Sequence, residues 1–122
     1  MLAAHIELIL LITGLATAGV LVVFLAPAAV MKVLFGQAPS DALGLLIARH
    51  WGLLVGLVGA LIVFAAYHAE VRVPTLIVAI VEKAALVLGV LISPFRQRPT
   101  VLAMALADAG MSAVYVMYLT GL

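Results

Sequence analysis

The chain has 122 residues, of which 68% are hydrophobic and 9% charged, against roughly 25% charged in an ordinary soluble domain. A water-soluble domain of this length leaves much of its surface exposed and cannot hide so much apolar area; lipid is the solvent the composition implies, and the length allows one domain. A formal net charge of +1 offers no clustered basic face for a nucleic acid, and the absence of cysteine excludes disulfides, thiol chemistry and cysteine metal sites.

The N-terminus carries His5 and Glu7 rather than a basic leader. The charge-free run over residues 8–31 is longer than the roughly 7–15 residues of a signal-peptide core, so it reads as a retained helix. A helix needs about 20 mostly apolar residues to cross the hydrocarbon. Segment one meets this over residues 6–26, with Pro27 marking its end or a kink. Residues 28–35 remain apolar around Lys32 and suit a short helix lying at the membrane interface. Gly36, Pro39, Ser40 and Asp41 make the first clear loop, with Ser40 or Asp41 as the N-cap of the next helix.

Segment two covers residues 42–66 and ends at Tyr67-His68-Ala69-Glu70. Segment three starts at Pro74, a residue suited to a first helical turn, and runs to residue 92. A basic, proline-bounded loop follows at residues 93–99, and segment four spans residues 100–119. There is no internal repeat. Short connections favour antiparallel neighbours, so the expected fold is all-α, a membrane bundle of four transmembrane helices running up-down-up-down. The loops after segments one and three hold Lys32, Arg96 and Arg98, and the loop after segment two holds Arg72. The positive-inside rule then puts the first set in the cytoplasm and both termini outside.

A charge at the bilayer centre costs about 2.5–3.5 kcal/mol on insertion scales, so an ionisable residue there has a partner or a purpose. Arg49, Glu82 and Asp108 lie one per segment in segments two to four, all within roughly 10–16 Å of the same surface at helical rise. Asp108, Ser112 and Tyr115 follow helical spacing along segment four and form one polar stripe. Arg49, Gly52, Gly56 and Gly59 share a flank of segment two, where small residues admit a neighbouring backbone. Thr13 and Thr17, with Gly14 and Ala18 beside them, offer a complementary face on segment one. These features predict a polar pocket on the cytoplasmic side of the midplane. Three readings remain for the charges: an ion pair that only fixes helix register, a ligand or proton site, or contacts to another subunit.

His50 and Trp51 point about 100° and 200° away from Arg49. Trp51 suits packing or an interfacial anchor, and His50 either bonds a backbone carbonyl or shuttles a proton. Lys83 follows Glu82, points elsewhere, and is too deep for simple snorkelling; it pairs with an acid or faces a partner. His5, Glu7, His68 and Glu70 gather on one side but match no metal motif, and read as interfacial residues. The chain also lacks a phosphate loop, a nucleophile elbow and a metalloprotease signature.

Two stretches, Pro27-Ala-Ala-Val-Met-Lys-Val-Leu-Phe-Gly36 and Leu46-Ile-Ala-Arg-His-Trp-Gly52, together resemble the DoxX-like small four-helix bacterial membrane proteins. The resemblance covers the first half of the chain, with Arg49 and Gly52 matching its pattern. It implies a four-helix fold and accessory or redox-associated roles in membranes, and it assigns no reaction. The leading expectation is a bacterial inner-membrane protein whose pocket binds a small amphipathic or hydrophobic molecule (a quinone, an isoprenoid or a lipid-like compound). Arg49, Glu82, Asp108, Tyr115 and His50 are the ligand-binding or proton-relay candidates, and no cofactor is named. Two alternatives stand beside it: an accessory subunit of a larger membrane complex, and a small proton-coupled transporter, better served by a homodimer because four helices enclose little volume.

Overall fold

The computed structural model describes residues 2–121 and is helical almost throughout, with no strand among them. Four helical stretches are long and apolar enough to cross a membrane: Leu2–Leu25, Ala42–Tyr67, Ala69–Leu91 and Pro99–Leu119. The protein is a multi-pass membrane bundle. Its outward-facing positions show why: Leu25 is 75% exposed and Ile92 84% exposed. Surface of that kind is stable against lipid tails and costly in water.

The first span is not one rod. After a 3-10 turn at Leu2–His5, helix α1 covers Ile6–Ala18 and helix α2 Leu21–Leu25. The chain turns at Gly19 and Val20 between them, and Ala26 leaves helical geometry at φ −141°. Helix α3, Pro27–Phe35, begins on the proline and stops at Gly36, whose φ of 78° is the left-handed conformation that ends helices. Residues 28–35 thus lie in a separate short helix.

Helix α4, Ala42–Tyr67, is capped by Asp41, whose carboxylate accepts from the Gly44 N–H at 3.1 Å. Helix α5, Arg72–Leu91, begins two residues before Pro74 and follows a 3-10 turn at Ala69–Val71. Arg72 explains the earlier start. Its guanidinium donates to the carbonyls of Ala65 at 2.7 Å and Ala66 at 2.8 Å, satisfying the open end of α4. Helix α6, Pro99–Leu119, follows a 3-10 turn at Pro94–Gln97.

Packing runs antiparallel throughout. Along the α1/α2–α4 seam, Gly14 meets Val63, Gly59 meets Ala18, Gly56 meets Leu21 and Gly52 meets Val23. A Cβ at Gly59 would run into the Ala18 backbone, and one at Gly14 would lie 2.8 Å from the Val63 side chain. Small residues let these helices touch, which is how association proceeds where no hydrophobic force acts between helices. On the α5–α6 seam Val90 packs with Val101 and Ala105. Two apolar clusters result. One joins Leu10, Ile62, Leu76, Ala79 and Tyr115 toward the termini; the other gathers around Val90 and Val101 toward the α3 end.

The α3 end is tied together by the α5–α6 turn. Arg98 Nε donates to the Leu34 carbonyl at 3.1 Å, the Thr100 hydroxyl donates to the same oxygen, and Phe35 meets Phe95 edge-on at 5.2 Å.

Candidate functional site

Between the two apolar clusters lies one polar layer, and its centre is Lys83. The residue shares a face of α5 with Leu76, Ala79 and Val90, all buried, so its stem enters the bundle like a core side chain. Lys83 is 1% exposed. Its Nζ donates to Asp108 Oδ1 on α6 at 3.1 Å and crosses to Thr17 Oγ1 on α1 at 2.8 Å. The ammonium stands 3.9 Å from Glu82 Oε1.

The surrounding polar atoms brace this layer against α1. Thr17 donates to the carbonyl of Thr13 at 2.8 Å and approaches Met111 Sδ at 3.8 Å. One turn away, the buried Tyr115 hydroxyl donates to Thr13 Oγ1 at 2.6 Å. The α1–α6 seam is therefore bridged by long side chains, in contrast to the glycine-lined α1–α4 seam. Such a seam leaves space. A cavity of about 150 Å³ lies there, reached by all four spans and lined by Thr17, Trp51, Val55, Lys83, Asp108 and Met111. Two buried oxygens lack a hydrogen-bond partner among the described residues, Glu82 Oε1 and Ser112 Oγ.

Asp108 and Tyr115 take the inward positions that the stripe on segment four predicts, and Glu82 stands at the edge of the same layer. Arg49 does not join them. It is exposed, with its guanidinium over the Phe24 ring at 5.9 Å. The α1/α2–α4 register accounts for this: Gly52 faces Val23, so one turn earlier Arg49 falls beside the break at Ala26, where no helix continues to cover it. The cation of the buried cluster is Lys83 instead. Its ammonium lies within ion-pair distance of the Glu82 carboxylate although the two residues leave the helix in different directions. His50 is exposed on the outside of α4 and makes no hydrogen bond among the described residues. Trp51 is half-buried on the cavity wall.

The helical phase of Lys83 with Leu76 and Ala79 was the signal available for its inward position. His68 bonds the Phe64 carbonyl at 3.0 Å and stacks on that ring. No three His, Asp or Glu side chains among the described residues are grouped to hold a metal.

Comparison of the chain with protein-family models, with curated proteins and with solved structures found no match.

Proposed function

We propose that the protein is a bacterial inner-membrane binding protein for a small amphipathic molecule, its polar end on Lys83 and Asp108. One observation carries this reading: a fully buried ammonium, paired across three helices, forms part of a cavity wall rather than a closed core. A buried ion pair alone needs no cavity. The volume of about 150 Å³ matches that of an apolar cavity known to admit one benzene-sized ring. A quinone ring, an isoprenoid head or a lipid-like carbonyl suits it, with Lys83 and Thr17 as polar contacts and the tail leaving between α1 and α6, where Ala16 and Ala107 are exposed. The likeness of residues 27–52 to DoxX-like proteins implies accessory or redox-associated roles in membranes, with which a quinone-like ligand agrees. The excess of Lys32, Arg96 and Arg98 at the α3 end supports a cytoplasmic α3 end and outward termini.

Native mass spectrometry of protein released gently from its own membrane tests the reading. A lone chain or homodimer retaining a small molecule, lost in Asp108→Asn, is the expected result. A chain that arrives bare or with another polypeptide overturns it.

The outer face of α4 favours a second reading, a subunit of a larger membrane complex. Arg49 and His50 are exposed there, and a neighbouring subunit would give these polar side chains partners that lipid does not.

A further inference from the structure

Glu82 lies on the flank of α5 that faces α4, beside the central cavity. There it borders a groove of about 400 Å³ whose other walls, including Trp51, Leu54, Val58 and Ala85, are apolar or aromatic. Its carboxylate accepts no hydrogen bond among the described residues, and Oε1 is shielded from solvent. The nearest cation, Lys83, is 3.9 Å away and is already bonded to Asp108 and Thr17. Formally the cluster holds two carboxylates and one ammonium, a surplus of one negative charge in a medium that penalises any uncompensated charge.

A cation that tolerates apolar walls would balance the Glu82 carboxylate in its ionised form. A metal ion is a poor fit, since hard cations take six or more oxygen ligands and no three His, Asp or Glu side chains are grouped here. An anion meets Glu82 unfavourably, and a neutral amphiphile leaves the charge where it is. An ammonium or phosphonium with hydrocarbon substituents satisfies both features, and the Trp51 indole adds attraction for a cation over its face. We propose that the α4–α5 groove binds a lipophilic organic cation, with Glu82 as its counter-ion and Trp51 as its aromatic wall. The groove adjoins the central cavity, sharing Trp51, Val55 and Leu86 with it, and differs in presenting a carboxylate in place of the Lys83–Asp108 pair.

Equilibrium dialysis of the purified protein against tetraphenylphosphonium tests it, with tetraphenylborate as a control of the same shape and opposite charge. Emission of Trp51, the only tryptophan in the chain, provides a second readout. The expected result is saturable binding of the phosphonium over the borate, weakened at least about tenfold by Glu82→Gln. Ala85→Phe, which fills the groove and keeps the carboxylate, abolishes binding and serves if Glu82→Gln does not fold. Equal binding of the two ions, no phosphonium binding by the wild type, or wild-type affinity in either folded variant overturns the proposal.

Discussion

Lys83 shows how a single side chain decides the character of the bundle centre. Its ammonium ties α5 to α6 through Asp108 and to α1 through Thr17. Removing one member of a buried pair strands the other, a loss commonly of about 3–5 kcal/mol, whereas replacing both with apolar residues is often neutral. Lys83→Met and Asp108→Leu each destabilise the protein by that order, and the Lys83→Met, Asp108→Leu double variant recovers most of the loss. Unfolding in mixed micelles measures the cycle; additive single effects would refute the pairing. Asp108 and Tyr115 were legible in the sequence because a polar stripe on an apolar helix has little reason to face lipid. Lys83 was harder to place, since adjacent acid and base diverge round a helix and sequence phase does not show how far a long stem bends. Arg49 was misplaced for a different reason. The helix break that uncovers it lies in another segment, and helical phase within segment two carries no sign of it.

At the scale of elements, glycines divide into those that hold helices together and those that do not. Gly59 meets the Ala18 backbone, while Gly110, midway along α6, has nothing within 4 Å of where a Cβ would stand. Gly59→Ala forces α1 from α4 and costs about 1–3 kcal/mol; Gly110→Ala stabilises its helix by up to about 1 kcal/mol. Thermal unfolding of the two variants in the same detergent checks the contrast, and equal shifts would contradict the seam. The spans were readable from apolar run length, and Asp41 from its capping chemistry. The break at Gly19 and Val20 was not, because it falls within an unbroken apolar run and leaves hydropathy unchanged. The start of α5 was hidden too: Pro74 reads as a first-turn residue, whereas the side chain of Arg72 serves the preceding helix.

Across the whole molecule, polarity is arranged in layers: a basic α3 end, one charged stratum between two apolar clusters, and a terminal end that carries Glu7, Glu70 and Arg72. The absence of cysteine makes the proposed orientation directly measurable. In intact cells, Ala4→Cys reacts with a membrane-impermeant maleimide, while Gln97→Cys reacts only after the membrane is opened; the reverse pattern would invert the topology. The Lys83–Asp108 pair also has a consequence in time. Its members are 25 residues apart in the chain, so the cation leaves the ribosome before its anion does. During that interval span three carries a lysine into the membrane with only Thr17 and Glu82 available to receive it. The third and fourth spans therefore gain from entering the bilayer as a pair, which makes the proline-bounded turn between them a step in biogenesis as well as a connection.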